Sequence, residues 1–160
     1  MKKINRVMVC VDLSDHSKMI VEETLAIVRG LKTEILIINV INSKDIDAVK
    51  TVNPHLPEEM NIESYIERVK TERHQRIQEM IEEHFLPDKA YMKIIFRVGI
   101  PSKTILEAIE TEKVDLVVIA TKGRSNFIGT LHGSNSEKIF RHSPVPVLSV
   151  RSREQFGRNR

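Results

Sequence analysis

Ile35-Leu-Ile-Ile-Asn-Val-Ile41 holds six apolar residues in seven and is dominated by β-branched side chains. The run lacks the polar alternation of a strand with one wet face. It fits a strand buried on both sides, as in a parallel sheet covered by helices above and below. Similar runs occur at Val7-Met-Val-Cys-Val11, Ile94-Ile-Phe96 with Val98, Leu116-Val-Val-Ile-Ala120 and Val145-Pro-Val-Leu-Ser-Val150. Pro144 and Pro146 remove backbone donors from the last run, which places it at a sheet edge.

Helical patterns fill the intervals. Ser14 or Asp15 can cap a helix carrying Val21, Leu25 and Val28 on one stripe and stopping at Gly30. A longer pattern from about Glu58 to His84 places Ile62, Ile66, Val69, Ile77 and Met80 on one face. Its charged face, with Glu63, Glu67, Arg68, Lys70, Glu72 and Arg73, reads as solvated. Pro101 can open a third helix with Ile105 and Ile109 inward and Glu110 and Glu112 outward, and Gly133 to Arg141 reads as a short fourth. Asn42 to Pro57 shows no evident element, and Asn53-Pro-His-Leu-Pro57 supplies turn chemistry, so an exposed, mobile loop is expected there. The alternation of strands and helices predicts an α/β domain around a parallel sheet.

The 160 residues suit one domain, expected over 1–151, with 152–160 as a basic, disordered tail. The 25 Lys and Arg exceed the 22 Asp and Glu by three, and four arginines fall in the last ten residues, so the charge implies no basic face on the folded body. With no Trp, single-stranded nucleic acid lacks a stacking platform. One cysteine, Cys10, excludes an internal disulfide, and its place in an apolar strand makes it a small core residue rather than a reactive thiol. The five-residue apolar run after Arg6 is too short for a secretory or membrane segment, so a cytoplasmic protein is expected.

In an open α/β sheet, ligands bind beyond the carboxyl ends of the strands where strand order reverses. The loop after Ala120 carries Gly123, Gly129 and Gly133 and leads into a helix beginning near Ser134 and Asn135. Glycines allow close backbone approach, and the helix N-terminus presents unsatisfied N–H groups. With Lys122 and Arg124 nearby, this is a candidate phosphate cradle, the alternative being a plain strand-to-helix connection. Asp12 closes the first strand and could bond a ribose hydroxyl or a phosphate-bound metal, or simply cap the following helix. A P-loop is excluded by spacing, and a dinucleotide fingerprint by the absence of glycine from Val11-Asp-Leu-Ser-Asp-His-Ser17. No nucleophile elbow is present, the six histidines lack metal-ligand spacing, and no general base stands out, so at most slow hydrolysis is expected.

Ala120-Thr-Lys-Gly-Arg-Ser-Asn-Phe-Ile-Gly-Thr-Leu-His-Gly-Ser134, with its following helix and Pro-containing strand, resembles the C-terminal signature of universal stress proteins. That signature is G-x-x-G-x(9)-G-[ST] in the nucleotide-binding branch. Val9 to Ser17 resembles the family's first strand and Asp-x-Ser turn, and Val98-Gly-Ile-Pro101 resembles its third strand-to-helix turn. The resemblance implies a Rossmann-like fold with five parallel strands in the order 3-2-1-4-5. It implies a homodimer formed through Val145 to Val150, further protein partners, and a role in stress response. It also implies an ATP site, with Mg2+ as a possible companion. Asp12 and Val40 would line the adenine and ribose end, and Gly123, Gly133 and Ser134 would hold phosphates beside Lys122 and Asn135. Ala120 stands where the family has its first glycine. A homodimeric interaction module without nucleotide is the alternative that this departure favours. An adenylating synthetase of related architecture is disfavoured, because this chain has Leu13-Ser-Asp-His-Ser17 where such enzymes place S-G-G-x-D-S or H-I-G-H after the first strand.

Overall fold

The computed structural model describes residues 3–52, 62–121 and 134–151. Five parallel strands form one sheet: β1 (Arg6–Cys10), β2 (Glu34–Asn42), β3 (Met92–Gly99), β4 (Leu116–Ala120) and β5 (Val147–Val150). Their spatial order is β3-β2-β1-β4-β5, as the resemblance implies. β1 lies at the centre, with Val7 opposite Ile35 on one side and Leu116 on the other.

The continuous apolar runs have a direct cause. Successive strand side chains point to opposite faces, and both faces are buried. Val7, Val9, Ile35 and Ile37 pack on one face against α1 (His16–Val28) and α3 (Ile62–His84), including Ile20, Val21, Ile77 and Ile81. Met8, Leu36 and Ile38 pack on the other against α4 (Pro101–Thr111) and α5 (Ser134–His142), through Ile105, Ile109 and Ile139. Removing such side chains from water contributes roughly 1.5–3 kcal/mol apiece.

Several boundaries follow from local chemistry. Gly30 adopts φ +84 just beyond the C-cap of α1, where a side chain would be strained. Pro101 opens α4 with its fixed φ and dispensable N–H. β5 is the edge strand that its prolines predict, but it begins at Val147 rather than Val145. Ser143 Oγ accepts from Val145 N and donates to Val145 O, a local turn that holds the approach to the strand.

Three expectations require correction. The stretch read as a loop from Asn42 contains helix α2 (Ser43–Val52). Asn42 Oδ1 accepts the Lys44 N–H at 3.1 Å, in the manner of an N-cap, and Ile46 is buried. Second, Arg73 does not belong to the solvated face of α3. Glu63, Glu67, Arg68, Lys70 and Glu72 are exposed there, whereas Arg73 is half-buried. Third, Glu112 is the C-cap of α4 and only 20% exposed in its side chain, where it accepts from Arg97 at 2.6 Å. Residues 53–57 of the expected loop, the helix start near Glu58 and the expected tail 152–160 lie outside the described residues.

Candidate functional site

β1 continues to α1 on one face of the sheet, while β4 leads towards α5 on the other. Their carboxyl ends therefore diverge and leave a crevice between them, at the reversal of strand order. Its volume is about 430 Å3. Asp12, Val40, Ala120, Ser134 and Asn135 line it together, although they come from four separate parts of the chain. Lys122, Gly123, Gly129 and Gly133 lie outside the described residues, as do Arg124 and His132.

Asp12 has a structural task at the crevice mouth. Its Oδ1 accepts from Ser14 N at 3.0 Å and Ser17 Oγ at 3.4 Å, folding the chain into the start of α1. Ser14 Oγ in turn accepts from His16 N, whereas Asp15 occupies the N-cap position without a side-chain cap bond. Leu13, between the two bonded residues, has φ +62. A non-glycine residue in that region costs about 1–2 kcal/mol, offset here by the carboxylate turn and by Leu13 packing on the core.

Asn39 and Arg73 complete the same wall, and neither was singled out by type or spacing. Asn39 is 1% exposed within β2 and donates from Nδ2 to Val11 O at 2.7 Å. Its Oδ1 accepts from Arg73 Nη1 at 3.0 Å, and the same nitrogen donates to Val40 O at 3.3 Å. One buried amide thus ties the end of β1 to a cation projecting from α3. Asn39 interrupts an otherwise apolar strand, and a polar side chain buried in a sheet needs partners. That interruption was the available sequence signal.

Among the described residues, the opposite wall is more open. Ser136 Oγ donates to Ala120 O at 2.9 Å, joining the first turn of α5 to the end of β4. Ile139 is buried below, while Ser134 and Asn135 are exposed at the helix start. The first N–H groups of an α-helix lack intrahelical acceptors and carry the positive end of its dipole, so this end of the crevice suits an anion. Ala120 is half-buried at the rim, so its methyl group occupies space that a glycine would leave.

Burial pushes the Cys10 thiol from 9.0 up to about 12, leaving a neutral, weakly nucleophilic group beside the crevice. Among the described residues, no group of three or more His, Cys, Asp or Glu could hold a metal ion, and no helix is long and apolar enough to cross a membrane.

A universal stress protein of Methanothermobacter thermautotrophicus is 26% identical over 144 residues, covering 88% of this chain and 91% of that protein. Universal stress protein MJ0577 of Methanocaldococcus jannaschii is 37% identical over 60 residues, which span 38% of this chain and 37% of that relative. The solved structure of MJ0577 gives a TM-score of 0.76 at 24% identity, covering 94% of this chain and 97% of that one. A universal stress protein solved in complex with cAMP gives a TM-score of 0.60 at 21% identity, covering 94% and 98%. These structural likenesses show the shared fold. Residues 3–151 match the universal stress protein family as a whole, and the chain belongs to that family.

Proposed function

We propose that this protein binds ATP in the crevice between β1 and β4 and acts as a nucleotide-dependent regulator in the cytoplasmic stress response. The observation that carries the reading is the crevice itself, whose volume lies within the usual range for small-ligand sites. One end has the opening turn of α5 for phosphates. The other has the polar and apolar surface of β1, β2 and α3 for a nucleoside. The complex of another universal stress protein with cAMP supports a purine nucleotide as the ligand class.

In this reading Asp12 and Val40 face the sugar and base, while Ser134 and Asn135 attend the phosphates with Lys122, Gly123 and Gly133. Ala120 replaces a glycine by the smallest side chain and narrows the rim without adding a polar group. Any Mg2+ would be held chiefly by phosphate oxygens and water, as that ion often is, rather than by a cage of protein ligands. The bound nucleotide supplies charge and shape that alter the surface seen by protein partners. A homodimer joined along β5 accompanies this role, since β5 pairs with β4 along one edge and an uncovered apolar edge promotes association.

The test is thermal unfolding with and without Mg-ATP. A ligand at 100 times its Kd stabilises by about 2.7 kcal/mol, roughly 5–10 °C for a chain of this size. Gly133→Val is expected to remove the shift while leaving the ligand-free midpoint nearly unchanged. A shift that persists in this variant would place binding elsewhere, and no shift in the parent protein would favour the nucleotide-free interaction module.

A further inference from the structure

Asn39, Val40 and Arg73 form a polar corner at the end of the crevice away from α5. Resting on the proposed nucleotide site, we infer that Arg73 sets base selectivity there and makes the crevice accept 6-oxopurine nucleotides about as well as 6-aminopurine ones. Phosphates belong beside the N-terminus of α5, so the base extends towards β2. Val40 O is an acceptor at that end, where Asn42 and Asp45 also line the crevice, and Arg73 Nη1 already donates to it at 3.3 Å. The crevice therefore offers an acceptor and a cationic donor side by side.

A lone backbone carbonyl would favour an exocyclic amino group and repel a 6-oxo group. A guanidinium has five N–H donors and no acceptor, and arginine pairs well with O6 and N7 of an oxopurine. Both N–H groups of Nη1 are committed, to Asn39 Oδ1 and Val40 O, so the complement for the 6-oxo group comes from the guanidinium's charge and its other nitrogens, without removing the carbonyl available to a 6-amino group. Carbonyl oxygen has two lone pairs, so an amino group and Arg73 can share it.

The position of the guanidinium is enforced from behind. Asn39 Nδ2 is committed to Val11 O at 2.7 Å, which directs Oδ1 towards Arg73 at 3.0 Å. Rotating the amide would oppose carbonyl to carbonyl and amine to guanidinium, so the two contacts fix one orientation. Asn39 is a positioning residue in this arrangement, and Arg73 is the group that meets the base.

The experiment is calorimetric titration of the full chain with ATP and with ITP, which shares the sugar and triphosphate but carries a 6-oxo group. In the parent protein, the two dissociation constants should agree within about threefold, because each exocyclic group has a partner. Arg73→Ala should weaken ITP relative to ATP by about tenfold or more. Arg73→Gln, which is shorter and replaces the five-donor cation by a neutral amide with both donor and acceptor, should move selectivity the same way because glutamine suits the N6 and N7 edge of adenine. Arg73→Lys should recover part of the ITP affinity by restoring a cationic donor.

Circular dichroism and thermal melts verify that each variant is folded, and the glutamine variant carries the test if the alanine variant is not. ATP binding with an unchanged ATP-to-ITP ratio in the folded variants would overturn the role of Arg73 and leave the crevice site standing. Strong rejection of ITP by the parent protein would overturn it too. If neither nucleotide binds the parent, the crevice reading fails and the selectivity role fails with it.

Discussion

The two walls of the crevice are built differently. On the β1–β2 side, Asp12 folds its own turn, Asn39 joins Val11 to Arg73, and Arg73 reaches Val40 O. On the β4–α5 side, Ile139 anchors the helix, Ser136 bonds to Ala120 O, and Ser134 and Asn135 remain exposed. Among the described residues, one wall is cross-braced, while the other presents helix-end donors with fewer polar ties beneath them. Preorganised groups suit discrimination of a base, and open N–H groups suit the diffuse charge of phosphates.

The largest break should come from the braced wall. Asn39→Leu leaves the buried Val11 carbonyl without its amide donor, and Arg73 without one acceptor, for about 1–3 kcal/mol in urea unfolding. A loss below about 0.5 kcal/mol would mean the brace contributes little. Gly99→Ala probes the support of the opposite side, because Gly99 precedes α4, whose Pro101 and Ile105 line the crevice. Gly99 has φ +153, and an added Cβ would fall 2.4 Å from Thr104 Oγ1. About 1–3 kcal/mol is expected from backbone strain together with that contact. Because the backbone conformation is unfavourable in itself, Thr104→Ala should restore only part of the loss, as measured by the same unfolding curves.

Ser136→Ala should have a smaller effect, about 0.5–1.5 kcal/mol, and should loosen the first turn of α5 more than β1. Amide hydrogen exchange distinguishes local loosening from an equal change throughout the chain. At neutral pH, Cys10→Ser addresses the smallest ionisation effect. The folded thiol is raised above 9.0, so its contribution is fully present below that pH and fades as pH rises towards about 12, where the folded thiol ionises. Unfolding measured from pH 7 to 11 should show a steeper alkaline loss in the parent than in the variant. Parallel curves would assign that loss to other groups.

The walls also differ in how legible they were before the structure. The switch point followed from five apolar runs and the family resemblance, and Pro146 identified the edge strand. Asp12, Val40, Ala120, Ser134 and Asn135 meet in one crevice because strand ends and a helix start converge there. Arg73 is not legible in the sequence because a helical charge stripe looks the same whether an arginine points to water or curls over a strand end. What distinguishes it is a long-range partner, Asn39, which periodicity along α3 does not encode. Helix α2 is hard to read from the sequence for a related reason. Its apolar stripe is short, with Ile46 buried and Val49 half-buried, and its start depends on the local cap from Asn42.

The most direct test of the central claim is amide chemical-shift mapping during titration of the full chain with Mg-ATP. The predicted result is saturable change concentrated at Asp12, Val40, Ala120, Ser134 and Asn135, spanning both walls. The contradicting result is no saturable change, or saturation confined to residues outside the crevice.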